Sequence, residues 1–216
     1  MSARDRILAA ASSKLGDAES RKAAVDARLS AGRQTSLKPE IALTDGAERV
    51  ERFIAQAEAV QATVSRHAAV SELPAALSDQ LRNRNLPQAV RTGSEPDFAG
   101  LDWGGVEVSQ GKGRVDEPAT LSRAFCAAAE TGTLALTSGP ENPVTLTFLG
   151  ETHFVVLKAS EIEAGYEGVW DRFRKSGRDP RTLNLVTGPS RTADIEQKLE
   201  LGAHGPVALH IFLLND

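Results

Sequence analysis

The first third of the chain places its apolar residues at helical spacing. Ser2 and Asp5 form a capping-box pattern before one apolar stripe, and Asp45 precedes a stronger stripe. The apolar positions of the stronger stripe are Val50, Phe53, Ile54, Ala57, Val60 and Val64. Pro74 suits the first turn of a further short helix. We therefore predict helices before residue 86, with residues 35–39 as a linker.

From about Leu86 onwards, short apolar runs alternate with helical stripes. Strands are predicted over residues 88–91, 106–108, 133–137, 144–149, 153–157, 182–186 and 207–214. Helices are predicted to begin at Pro118, at Ser160 and at Asp194, the last of them ending at Leu201. Such alternation favours an α/β fold with a mainly parallel sheet flanked by helices. We expect one α/β domain over residues 41–216 and an N-terminal helical arm over residues 1–40.

Composition excludes several classes of protein. The 216 residues are 41% hydrophobic and 25% charged, and the net charge is −4, so no global basic field attracts nucleic acid. No run of 18 apolar residues is present, and the N-terminus is not typical of a signal peptide, so we expect a cytoplasmic protein without a membrane span. A single cysteine, Cys126, cannot hold an iron–sulfur cluster or a structural zinc.

Near the C-terminus, the loop that begins at Thr187 carries groups suited to an anion. Gly188 allows a sharp turn, Ser190 and Thr192 offer hydroxyls, and Arg191 offers a planar fork for carboxylate or phosphate. Asp194 would cap the helix predicted after it, and the free amides of a helix start favour an anion. The alternative, a strand-to-helix turn with a good cap, stays open.

Acid–base candidates lie in and near the same loop. Asp194 and Glu196 could flank a reactive group, although one of them could equally cap a helix and the other be solvated. His204 could carry a proton or could order the turn before the last strand. Glu130 could be a base or a nucleophile beside Gly132, a normal helix C-cap. We expect structural roles for His153 and His210.

Three segments together resemble the LUD-domain family. They are AAAETGTLALTSG (127–139), THFVVLKASEI (152–162) and TGPSRTADIEQKLELGAHGPVALHIFLLND (187–216). Residues 149–153, Leu-Gly-Glu-Thr-His, depart from the Leu-Pro-Pro-like turn that often precedes this histidine in the family. The positions that match the family's motifs are Glu130, Thr131, Gly132, Thr133, Gly188, Ser190, Arg191, Thr192, Asp194, Glu196, His204 and Gly205.

The resemblance implies a fold similar to the NagB/RpiA/CoA-transferase group and a role in oxidising L-lactate to pyruvate. It also implies partner proteins that carry iron–sulfur clusters, while this chain has no cofactor of its own. On this basis we expect a clusterless subunit that binds a small carboxylate or a phosphate-containing ligand. Arg191 would pair with the anion, and Glu196 or His204 would handle a proton. The alternatives are a sugar-phosphate isomerase or acyl-CoA transferase that uses Glu130, and a non-catalytic scaffold.

Overall fold

A computed structural model describes residues 2–15, 17–31, 39–193, 199–202 and 204–215. The chain divides into two compact units, residues 1–39 and residues 40–216. The first unit contains helices α1 (Ala3–Ser13) and α2 (Ala18–Ala31). Ser2 and Asp5 form the predicted capping box at the start of α1. Apart from Pro39, the predicted linker lies outside the described residues.

The second unit mixes four α-helices with short strands. The helices are α3 (Gly46–Ala59), α4 (Leu73–Asn83), α5 (Val144–Phe148) and α6 (Tyr166–Ser176). The strands are β1 (Thr63–His67), β2 (Ala89–Thr92), β3 (Glu107–Gln110), β4 (Ala119–Arg123), β5 (Cys126–Ala128), β6 (Thr133–Thr137), β7 (Thr152–Lys158), β8 (Ile162–Glu163), β9 (Leu183–Val186), β10 (Arg191–Ala193), β11 (Leu199–Leu201) and β12 (Ala208–Leu214). Within the described residues, no helix is long and apolar enough to cross a membrane.

Six strands form the main sheet, in the order β1-β12-β7-β4-β2-β3, and every neighbouring pair is parallel. A second sheet has the order β8-β5-β6-β9, in which β6 is antiparallel to both of its neighbours. Strands β10 and β11 form a separate antiparallel pair. The predicted α/β class, with a mainly parallel sheet flanked by helices, is therefore confirmed.

The two faces of the main sheet bury separate clusters of apolar side chains. On one face, Val155 and Leu157 of β7 pack with α3 and with strands of the second sheet. On the other face, Phe154 and Val156 pack with the apolar side of α4. Because successive strand residues point to opposite faces, β7 is apolar at every position from Phe154 to Leu157.

The structure corrects several predictions of secondary structure. The helix expected from Ser160 begins instead at Tyr166, after strand β8, and strand β1 lies within the segment predicted to be helical. The helix expected from Pro118 is instead β4 and β5, since these residues are buried and their apolar run shows no clear period. The strand expected over residues 144–149 is the short helix α5. The helix expected over residues 194–201 is wrong at its end, where Leu199–Leu201 form β11, and residues 194–198 lie outside the described residues.

Candidate functional site

Two loops carry the motif residues predicted from the sequence, residues 129–132 and the segment that begins at Thr187, and we call them the signature loops. They lie side by side because β6 and β9 are antiparallel neighbours. One loop turns from β5 into β6, and the other leaves β9 at Val186. A cluster of hydroxyl groups joins them: Thr133 Oγ1 lies 2.7 Å from Thr187 Oγ1 and 2.9 Å from the Tyr166 hydroxyl. Thr131 Oγ1 completes the cluster at 2.6 Å from Thr133 Oγ1.

The loop that leaves β9 does not follow a strand of the parallel sheet. Strand β9 belongs to the second sheet, so the rule that ligands bind beyond the carboxyl ends of parallel strands does not apply to this loop. Instead, Ser190 donates its backbone N–H to the carbonyl of Pro206, two residues before β12. The loop therefore lies against the edge where the parallel strands β7 and β12 begin.

A cavity of about 260 Å³ opens at this edge, and we call it the amino-edge pocket. It is lined by residues 147–148, 185–191 and 204–206, together with His153 and Leu209. His153 and Leu209 are paired second residues of adjacent parallel strands. The cavity is of the size that a molecule of a few carbon atoms would fill.

His153 forms the buried part of the pocket. Its side chain is fully buried, and burial lowers the imidazole pKa from 6.5 to about 3, so the ring is neutral near pH 7. Its Nε2 atom has no hydrogen-bond partner among the described residues. A buried polar atom without a partner costs about 1–3 kcal/mol, so such an atom beside a cavity is matched to a ligand or to water.

Thr147 of α5 has a second buried polar atom without a hydrogen-bond partner among the described residues. Its side chain is 2% exposed, and its Oγ1 also has no hydrogen-bond partner in the described part of the chain. Both Thr147 and His153 line the amino-edge pocket. Two buried and unpaired polar atoms in one small cavity can hold a polar group of a ligand.

The predicted anion-binding groups are only partly in place. Arg191 is exposed at the rim of the pocket, and its guanidinium makes no ion pair within the described residues. His204 and Gly205 line the same rim. The backbone N–H of Ser190 already donates to the carbonyl oxygen of Pro206 and is not free for an anion. Arg191 is the arginine in the described lining of the pocket, and its positive charge can attract an anion.

Several predicted site residues lie outside the amino-edge pocket. Glu130 accepts the backbone N–H of Tyr166, the first residue of α6, at 2.9 Å. Thr131 and Thr133 belong to the hydroxyl cluster, outside the amino-edge pocket. Thr192 lies in β10. The predicted candidates Asp194 and Glu196 lie outside the described residues.

The opposite edge of the main sheet has a larger cavity that the sequence did not indicate. Its volume is about 610 Å³, and it lies where β2, β4 and β7 end. Arg123 and Lys158, the last residues of β4 and β7, line it together with the segment that follows β2. In the described parts of the chain, no group of three or more His, Cys, Asp or Glu side chains is placed to hold a metal ion.

Sequence reasoning missed His153 and Thr147 for different reasons. His153 lies near the start of an otherwise apolar strand, and this position alone does not indicate a binding site. Its relevance follows only from the pocket that it lines. The sequence predicts a strand at Thr147, and that prediction gives no reason to place its side chain in a pocket. The sequence feature that could have indicated both residues is a polar side chain within an apolar run, with no hydrogen-bonding partner nearby in the sequence.

Comparisons with known proteins agree with this architecture. The family model of the LUD domain matches residues 115–214. An uncharacterized protein, NMB1437, from Neisseria meningitidis serogroup B is 40% identical over 100 residues, which cover 44% of this chain and 42% of that protein. Lactate utilization protein C from Geobacillus thermodenitrificans is 32% identical over 118 residues, which cover 50% of this chain and 48% of that protein. The chain thus matches less than half the length of these two relatives.

A solved structure has the same fold. The crystal structure of a DUF162 family protein from Deinococcus radiodurans aligns with a TM-score of 0.57 and 21% identity, covering 80% of this chain and 99% of that one. At this identity, the likeness shows the fold alone. The family model covers both signature loops and the amino-edge pocket, since both loops lie between residues 115 and 214. The resemblance predicted from the sequence is therefore confirmed: residues 115–214 are similar to the LUD-domain family.

Proposed function

We propose that this chain takes part in L-lactate utilization by binding a small 2-hydroxy carboxylate in the amino-edge pocket. The observation that carries the proposal is that two residues lining one small cavity, His153 and Thr147, each hold a buried polar atom without a hydrogen-bond partner among the described residues. The name of the relatives, lactate utilization protein C, supports L-lactate as the first ligand to test.

The chemistry of a 2-hydroxy acid matches both parts of the pocket. Its carboxylate suits the exposed guanidinium of Arg191 at the rim. Its hydroxyl group both donates and accepts, so it can bond to Thr147 Oγ1 and to His153 Nε2 whichever tautomer the imidazole adopts. A carboxylate without the hydroxyl would leave both atoms unpaired.

Oxidation of L-lactate needs an electron acceptor, and we place that acceptor on partner proteins. Cys126 is fully buried, and burial raises the pKa of its thiol to about 12, so it remains a protonated core residue. A protonated and buried thiol is unsuited to bind iron. We therefore infer that this chain is the clusterless member of a lactate-oxidising assembly, with iron–sulfur clusters on its partners.

Ligand preference tests the proposal. We expect L-lactate to bind about tenfold more tightly than propionate, which has the same carbon chain without the hydroxyl, because one buried hydrogen-bonding group is worth about 1–1.5 kcal/mol. The dissociation constants would be measured by NMR titration of the full chain. Equal affinities for the two acids, or no binding of L-lactate, would contradict the proposal.

Two variants locate the binding site. In Thr147→Val the preference for L-lactate over propionate should fall several-fold, while the protein stays folded because an unpaired buried hydroxyl has been removed. In Arg191→Gln both acids should bind more weakly. Arg181→Gln is the matched control, since Arg181 is exposed and lies outside the pocket. Membership of the assembly is tested separately, by co-expression with neighbouring genes and a lactate oxidation assay with and without this chain.

A further inference from the structure

The larger cavity lies where the order of the main sheet reverses. From β2 the chain continues outwards to β3, whereas from β4 it continues the other way through β7 to β12. The connections therefore leave β2 and β4 in opposite directions, and a crevice opens between the carboxyl ends of these two strands. In parallel α/β sheets such a crevice is the usual place for a ligand. We call the cavity of about 610 Å³ found there the carboxyl-edge cavity.

One wall of the carboxyl-edge cavity is a closed network of charges. Arg123 donates to Asp97 at 2.8 Å and to Glu161 at 2.7 Å, and its side chain is only 12% exposed. Lys158 lies 3.4 Å from the same Asp97 carboxylate. Burial opposes the ionisation of Asp97, but Arg123 and Lys158 outweigh it and lower the pKa of that carboxyl. These four groups satisfy one another and form a fixed polar wall.

Among the remaining charged side chains that line the cavity, carboxylates outnumber cations. Glu95, Glu141 and Asp179 line it and make no ion pair within the described residues. Burial raises the pKa of Glu95, and the charges of Asp97 and Glu141 add to this effect, although the Asp97 backbone N–H and the charge of Arg123 partly oppose it. Arg178 is the cation in the lining that lacks a carboxylate partner among the described residues. A positive group of a ligand placed beside Glu95 would therefore be stabilised, and a second anion would be repelled.

Asn142 adds a buried acceptor to the same cavity. Its side chain is 5% exposed, and its Nδ2 donates to the carbonyl oxygen of Thr137 at 3.3 Å. Because a carbonyl oxygen only accepts, this bond fixes the orientation of the amide. The Asn142 Oδ1 atom then has no hydrogen-bond partner within the described residues. A ligand atom that donates a hydrogen bond would satisfy it.

Arg178 lines the cavity and, like Asn142, contacts Thr137. Its guanidinium carbon lies 5.2 Å from the centroid of the Phe125 ring, and its Nη1 lies 3.4 Å from Thr137 Oγ1. Stacking on an aromatic ring leaves the edge of a guanidinium free to bind a carboxylate. Phe125 also offers apolar surface to a ligand side chain.

We propose that the carboxyl-edge cavity binds a free amino acid. Its ammonium group would donate to Glu95 and to Asn142 Oδ1, and its carboxylate would pair with Arg178. The zwitterion matches the three unpaired carboxylates and the one unpaired guanidinium better than a phosphate does, since a dianion would face an excess of negative charge. This site is at the opposite edge of the sheet from the amino-edge pocket and does not depend on the function proposed for that pocket.

The test is a titration of the full chain with each of the twenty common amino acids, in which binding is measured by ligand-observed NMR. We expect at least one of them to bind with a dissociation constant below about 1 mM. The N-acetyl derivative of the best ligand, which lacks the ammonium, should bind at least tenfold more weakly. Its amide, which lacks the carboxylate, should also bind more weakly. Glycerol phosphate serves as the anionic comparison.

Variants of the full chain complete the test. Glu95→Gln keeps the size of the side chain and removes its charge, and it should weaken binding of the best amino acid at least tenfold. Glu107→Gln is the matched control, because Glu107 is an exposed residue at the start of β3, and it should leave the affinity unchanged. The proposal is overturned if no amino acid binds with a dissociation constant below about 1 mM, if glycerol phosphate binds more tightly, or if Glu95→Gln binds as the wild type does.

Discussion

Gly132 and Gly188 lie in the two signature loops, and both adopt a positive φ, of +65° and +70°. A Cβ atom at Gly132 would lie 2.3 Å from the backbone nitrogen of Ala57. One at Gly188 would lie 2.4 Å from the carbonyl oxygen of Val60. Both glycines therefore allow their loops to pack directly on the end of α3, and neither needs a ligand to explain it.

This close packing predicts the effect of a single methyl group. Gly188→Ala should lower the free energy of unfolding by about 3 kcal/mol, because it adds a backbone clash to the strain of a positive φ. Gly104→Ala is the control: Gly104 has a φ of +55° with no atom near the added Cβ, so only about 1 kcal/mol should be lost. Denaturant unfolding measures both. Equal losses would show that the contact with Val60 is unimportant.

At the scale of elements, sequence patterns predict best where one side of an element faces water. Helix α3 and its Asp45 cap follow the predicted stripe as far as Ala57, because one face alone is buried, whereas Val64 of the same stripe lies in β1. Strands β4 and β5 were mistaken for a helix because they are buried on both faces and carry no alternation to reveal their period. The presence of His153 and Thr147 in one pocket could not be predicted, since it depends on how α5 packs against β4, the neighbour of β7.

The contact between β2 and β4 depends on more than backbone pairing. Their register covers only two residue pairs, Arg91 with Thr120 and Thr92 with Leu121. An ion pair between Arg91 and Glu117 supplements it, and both side chains are mostly buried, at 14% and 16% exposure. Removing one partner would leave the other charge buried without compensation.

We therefore expect Arg91→Met to lower the free energy of unfolding by about 3 kcal/mol. Arg174→Met is the control, since the Arg174–Asp171 pair is 52% and 39% exposed and should contribute less than about 1 kcal/mol. The double variant Arg91→Met, Glu117→Leu should recover part of the loss, because no buried charge remains. Chemical denaturation of the four proteins decides the matter. A single variant as stable as the control would contradict this account of the β2–β4 contact.

At the scale of the whole molecule, the core belongs to the second unit. Its buried apolar side chains run from Ala42 to Leu214 among the described residues. Phe53 and Ala57 of α3 are fully buried within it. The unit of residues 40–216 thus builds a complete α/β core from its own elements.

This predicts that a chain of residues 40–216 folds alone. Its free energy of unfolding should equal that of the full chain within about 0.5 kcal/mol, measured by thermal and denaturant unfolding. A shorter chain that begins at residue 60 is the control. It lacks α3 and its buried Phe53, and it should lose cooperative unfolding. Failure of the longer fragment to fold would show that residues 1–39 are part of the folding unit.

Strand β7 contributes to both cavities, with His153 at its beginning and Lys158 at its end. Five residue steps of a parallel strand span about 17 Å, so molecules in the two cavities cannot touch. The strand is also hydrogen-bonded on both sides, by β12 and by β4, and cannot slide between them. The seven residues of β7 therefore form a rigid wall between the two cavities. A one-residue insertion in β7 would disrupt both cavities at once, whereas a ligand that binds in one cavity would not affect binding in the other.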